Sequence, residues 1–188
     1  LHTESTGTGK GNVVFAGQYK TTSPGSPPVS GAGTRLMWYP DKAAFRAGQV
    51  DGTQWDQDNT GNYSVAMGNN TTAFAPNSIA IGEGLLARSL NEIVLGRYNA
   101  DYNGFNHNYW LENDRLFVIG NGTGPTAKSN AFTVLKNGST GIGVDYPSAM
   151  LHVRGIDTGE GNVLFAGSFK TTPGDPPAAG QGTRLMWY

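Results

Sequence analysis

The sequence predicts an all-β, elongated, fibrous chain, and three observations carry that expectation. Glycine supplies 28 of the 188 residues, about 15%, against roughly 7% in an average protein. With 10 Pro and abundant Asn and Thr, it favours tight turns over helices. A short repeat comes second: SVAMG (64–68), SIAIG (78–82) and EIVLG (92–96) start 14 residues apart, and each ends on glycine. The third is a long repeat, in which residues 1–39 return as 151–188 with one residue deleted near Ser23 and 25 of 38 aligned positions identical. Repetition on two scales belongs to elongated arrays rather than to compact enzymes. The expected organisation is one module followed by the opening of the next within a longer fibrous protein. A duplicated globular domain is the competing arrangement.

Taken in order, residues 1–48 are expected to open a β-rich module. VVFAG (13–17) and TRLMWY (34–39) read as strands, and the Pro- and Gly-rich TTSPGSPPVSGAG (21–33) between them reads as a long exposed loop. Loops of that length on rigid β scaffolds carry recognition, and they serve equally as spacers or as contacts to another chain. DKAAFRA (41–47) admits a helix capped by Asp41 behind Pro40. Seven residues without flanking support are better read as strand, with FRAG (45–48) as a degenerate first coil.

Residues 49–100 are expected to form coils of 14 residues, each with two short strands and two turns. Strict alternation gives the first strand a bulky face, Val65 and Met67, Ile79 and Ile81, Ile93 and Leu95, and a small one that includes Ala66 and Ala80. The bulky side chains are expected to be buried within the coil, leaving the small face to meet another backbone. Gly68, Gly82 and Gly96 end the strands, and Asn69, Asn70, Glu83 and Gly84 suit turns that tolerate positive φ. TAFA (72–75) and LLAR (85–88) supply the second strands, while Glu92 and Val94 on the small face suggest the end of the run. Backbone entropy lost over such a coil exceeds what two bulky side chains return. Self-association into a closed cyclic assembly therefore follows, which also covers the strand edges. Residues 101–150 read as a β-rich connector, and 151–188 as the beginning of the next copy.

The SVAMG and SIAIG coils resemble the head repeats of trimeric autotransporter adhesins. DRLFVIGNGTGPTAKSNAFTVLKNGSTGIG (114–143), followed by YPSAMLHV, is similar to the β-rich connectors of such adhesins and of trimeric phage tail fibres. The resemblance implies a homotrimeric β-solenoid or β-roll with β-prism-like connectors, placed outside the cell on a cell surface or on a virion. Its work would be attachment to cells or surfaces, its partners further copies of itself, further repeats along the fibre and a surface ligand. A receptor-binding phage tail fibre and a ligand-free structural filament are the alternatives.

Composition narrows the chemistry. A net charge of -1 without a basic stripe gives no footprint for nucleic acid. Without Cys there are no disulfides, thiolate sites or cysteine nucleophiles, and no apolar run is long enough to span a membrane. GTGPTAKS (122–129) falls short of a phosphate loop, because Ala127 replaces the glycine before Lys128 and strand, not helix, follows. In WDQDNTGN (55–62), Asp56, Asp58 and Thr60 alternate before Gly61, a spacing suited to calcium, yet Met67 stands where the full motif wants Glu. No other cofactor is expected. His2 and His152 are one repeat position and read as packing or interchain groups. Tyr102, Phe105, His107, Tyr109 and Trp110 are candidates for a carbohydrate-contacting surface, or for a small aromatic core. Glu112 with Asp114, or Asp56 with Asp58, are the only carboxylate pairs worth testing for glycoside hydrolysis, and an enzyme is not expected.

Overall fold

In the computed structural model the alternation of the sequence becomes a ladder of strands whose spatial order follows chain order. The structure describes residues 14–154, and VVFAG residues Val14 to Gly17 belong to no strand; Val13, His2 and the copy beyond 154 lie outside the described residues. The strands are β1 (Gly33–Tyr39), β2 (Ala44–Val50), β3 (Val65–Asn69), β4 (Thr72–Ala73), β5 (Ile79–Glu83) and β6 (Leu86–Ala87), followed by β7 (Ile93–Arg97), β8 (Arg115–Asn121), β9 (Asn130–Leu135), β10 (Thr140–Ile142) and β11 (Leu151–Val153). Nine of them form one sheet in the order β1-β2-β3-β5-β7-β8-β9-β10-β11, and β4 pairs with β6 in a second. Two short 3-10 turns, Pro40–Lys42 and Gln57–Asn59, are the only helical residues among those described.

β2, β3, β5, β7 and β8 run parallel to one another. The 14-residue repeat is thus a register: Val65 pairs with Ile79 and Ile79 with Ile93. The parallel run reaches beyond 49–100 on both sides. FRAG is strand, as its short length demands, with Phe45 opposite Val65, and FVIG of β8 continues the series opposite IVLG of β7. Antiparallel hairpins close both flanks, β1 against β2 and β8-β9-β10, and Leu151–Val153 adds as a parallel strand on β10.

The corners recur at the same step. Tyr63, Asn77 and Asn91 have φ of 59°, 57° and 60°, and Asn70, Gly84 and Tyr98 have 53°, 59° and 41°, so each unit turns on two left-handed residues. Glycine is indispensable in the column Gly68-Gly82-Gly96. Gly82 has φ +144°, and a Cβ there would collide with the carbonyl oxygen of Gly96 on the next strand.

One expectation about the faces is reversed. The small side chains point inward: Ala66, Ala80 and Val94 are completely buried together with Ala73 and Ala87 of the second sheet, whereas Met67 and Ile81 are 36% and 40% exposed. The interior is already filled: Ala66 and Ala80 share one buried cluster with Ala73, Leu85 and Ala87, and a close-packed interior leaves no space for a second bulky row. The bulky side chains therefore face outward.

Larger groups fill the interior where the repeat pattern breaks. Trp55 is fully buried and donates its indole N–H to Thr71 O at 2.8 Å. Arg46 occupies the inner position level with Ala66, donating to the carbonyls of Phe45 (2.8 Å), Ser64 (2.9 Å) and Ala73 (3.4 Å) and to Ser64 Oγ (2.8 Å).

Candidate binding surface

The outward face is one continuous apolar strip. Residues directly opposite on paired strands share a face. Phe45, Val65, Ile79, Ile93 and Phe117 therefore form one row, and Ala47, Met67, Ile81, Leu95 and Ile119 the next. The hairpins extend both rows, since Trp38 and Leu36 stand opposite Phe45 and Ala47, and Val134 and Phe132 opposite Phe117 and Ile119. Beyond them come Ile142, opposite Phe132, and Val153, opposite Ile142. Phe117 and Phe132 meet edge to face with centroids 6.1 Å apart. All six coil residues singled out from the sequence lie on this strip. The flanking members were missed, although FVIG ends on glycine just as the named repeats do and TRLMWY carries the same alternation.

Of the calcium candidates only Asp56 is engaged by a protein group; Asp58 is exposed and the Thr60 hydroxyl has no hydrogen-bond partner. Asp56 accepts the Gly31 N–H at 2.6 Å, and Thr60 is buried. Two carbonyls of the loop, those of Gln57 and Thr60, each accept from the Lys42 ammonium at 2.6 Å. Among the described residues no group of three or more His, Asp or Glu side chains is arranged to hold a metal ion.

The aromatic segment 101–110 divides. Tyr102 is not a surface residue: it is 5% exposed, with Arg115 over its ring at 4.1 Å, so surface recognition is corrected at this position. Its ring is held inside against the buried Arg115 guanidinium, a stacking that offsets part of the cation's loss of water. Phe105 packs against Tyr102, and His107 stands edge-on to Phe74 at 5.4 Å. Tyr109 and Trp110 are exposed, Trp110 lying under the Lys136 ammonium at 5.1 Å. Phe105 also borders an open cavity of about 580 Å³ with Phe74, Thr72, Leu86 and Arg88.

GTGPTAKS forms the tight link between β8 and β9, with Gly124 bridged to Ala127. Of the proposed acid pairs, Asp114 is buried and accepts the Asn106 N–H at 2.9 Å while Glu112 is exposed. In β11, His152 Nδ1 lies 3.3 Å from the backbone N and from Oγ of Ser148. Glu92, at the position of Ser64 and Ser78, is fully buried. Where those serines donate to the carbonyls of Gly61 and Ala75, Glu92 Oε2 accepts the N–H groups of Arg88 (2.7 Å) and Ser89 (2.9 Å). Burial pushes its carboxyl up to about 7, against the pull of those two N–H groups and of Arg115 and Lys136.

An all-β protein with a parallel ladder stepped by 14 residues, small side chains inside and bulky ones outside, is the class defined by this geometry. Residues 60–84 match the YadA head domain repeat in two copies. They contain SVAMG and SIAIG, so the match supports the resemblance to a trimeric autotransporter adhesin head and points to an adhesin-type surface module. No curated protein and no solved structure matches the chain. No helix among the described residues is long and apolar enough to cross a membrane.

Proposed function

We propose that this chain is a structural and adhesive module of a repetitive extracellular surface fibre, assembled as a homotrimer of parallel β-rolls. The outward strip carries the reading. An apolar face running across nine strands, far beyond the two matched repeats, is more than a solitary soluble chain leaves in water. Three copies packed strip to strip would bury it around a common axis and leave the loops outside. Each 14-residue unit then lengthens the shaft by one strand, and the rigid shaft carries its binding surface away from the body that anchors it.

The mass of the purified chain by sedimentation equilibrium tests the assembly. The expected value is about 60 kDa, three times 19.9 kDa, and a folded species at 19.9 kDa overturns it. Ligand contact is assigned to Phe105, His107, Tyr109 and Trp110 on the outer side. Replacing Tyr109 and Trp110 by Ala should abolish attachment of coated beads to target cells while the assembly stays intact. The loop 55–62 is proposed to need no calcium, because the Lys42 ammonium already serves its carbonyls. A chelator should leave the melting temperature unchanged.

A further inference from the structure

Behind the segment 101–110 lies a buried cluster with more hydrogen-bond donors than the protein answers. Five of its atoms, Glu92 Oε1, Tyr102 Oη, Arg115 Nε and Nη2, and Lys136 Nζ, are buried and without a hydrogen-bond partner, Lys136 Nζ having only the Trp110 ring and the distant Asp114 carboxylate beside it. Glu92 and the Lys136 side chain are 0% exposed, and Arg115 is 1% exposed. They belong to one site. Arg115 stacks on Tyr102, both Arg115 and Lys136 act on the Glu92 carboxyl, and Lys136 Nζ stands 3.7 Å from Asp114 Oδ2.

The carboxylates do not absorb the donors. Glu92 Oε2 is committed to the N–H groups of Arg88 and Ser89, and Asp114 Oδ2 to that of Asn106. Arg115 uses only Nη1, which donates to Ala100 O at 2.6 Å, and the Lys136–Asp114 separation is too long for a hydrogen bond. By chemistry, Nε carries one N–H, Nη2 two, the ammonium three and the tyrosine one O–H, while Glu92 Oε1 is the one unengaged acceptor among the five atoms. Unanswered buried donors are costly. A water molecule would bring two more donors of its own; a guest made only of acceptors settles the imbalance. In mildly acidic solution the buried Glu92 also keeps its proton, which leaves two cations facing the single carboxylate of Asp114.

We propose that this cluster is a binding site for a small inorganic anion of halide size, held by the Arg115 guanidinium and the Lys136 ammonium. The site lies within one chain and does not rest on the adhesive reading, although Trp110, assigned to ligand contact above, lies under its Lys136 ammonium. Bromide is the probe. Crystals of the whole chain grown in sodium bromide, measured at the bromine absorption edge, should show an anomalous peak between Arg115 and Lys136. In solution, bromide should raise the melting temperature above that in gluconate of equal ionic strength, and Lys136→Met should lose that difference. An anomalous map without a peak in the cluster, with ordered water only, overturns the proposal. So does a peak unaccompanied by any bromide-specific rise in melting temperature, which would mark an adventitious ion only. The wild-type measurements decide the matter even if Lys136→Met fails to fold.

Discussion

Two positions show how much single residues decide here. At Gly82 both the φ of +144° and the neighbouring Gly96 carbonyl exclude a side chain. Gly82→Ala should therefore cost about 2–4 kcal/mol in denaturant unfolding, whereas a glycine with open space about it, Gly124, should tolerate Ala. Glu92 gives a pH dependence whose sign is fixed by its raised pKa. The unfolded chain releases the proton near 4.5 and the folded chain holds it to about 7. The contribution is thus fully present below about pH 4.5 and is lost as pH rises to about 7. Glu92→Gln keeps an acceptor for Arg88 and Ser89 but cannot ionise. It should flatten the fall in stability between those limits, as read from urea midpoints at pH 4.5, 6 and 8, and an unchanged slope would refute the assignment. Such a role was half legible in the sequence. Glu92 stood out as a break in the serine pattern, but that it would be buried, and turned toward the preceding corner, depended on Arg115 and Lys136 arriving from elements far along the chain.

At the scale of elements, the second ladder ends on a side chain. Asn99 accepts the Leu86 N–H at 2.9 Å through Oδ1 and donates to the Leu86 carbonyl at 3.1 Å through Nδ2, imitating the backbone of the strand that would come next. Asn99→Leu leaves both Leu86 groups unanswered and should cost about 1–3 kcal/mol. Hydrogen exchange at Leu86 should quicken while exchange on β5 and β7 holds; equal loss everywhere would mean that Asn99 does not terminate the ladder. The strands of the parallel run were legible because period two and period 14 both appear in the residues themselves. Their orientation was not. Alternation identifies two faces without saying which is inside, and that was settled by the packing of Ala66 and Ala80 against Ala73, Leu85 and Ala87.

For the whole molecule, the outward strip makes a prediction that separates folding from assembly. Ile81 points away from the narrow interior and is 40% exposed in the single chain. Ile81→Lys should leave the secondary structure by circular dichroism unchanged and lower the sedimentation mass to 19.9 kDa. The same substitution at Ala80, which is completely buried, should unfold the protein, because no partner there could answer a buried ammonium. A mass unaffected by Ile81→Lys would mean that the strip is not the contact between copies.

The sequence by itself determined the all-β class, the 14-residue step, the turn glycines and the resemblance to adhesin heads, since each is written in local composition or spacing. Tertiary structure alone decided which face is core, that β8 joins the parallel run, that Tyr102 is interior, and that Glu92, Arg115 and Lys136 meet. The physical reason is the same throughout. Periodicity is a property of neighbours along the chain, but burial and charge environment depend on strands brought together from distant positions, and on how much space remains between them.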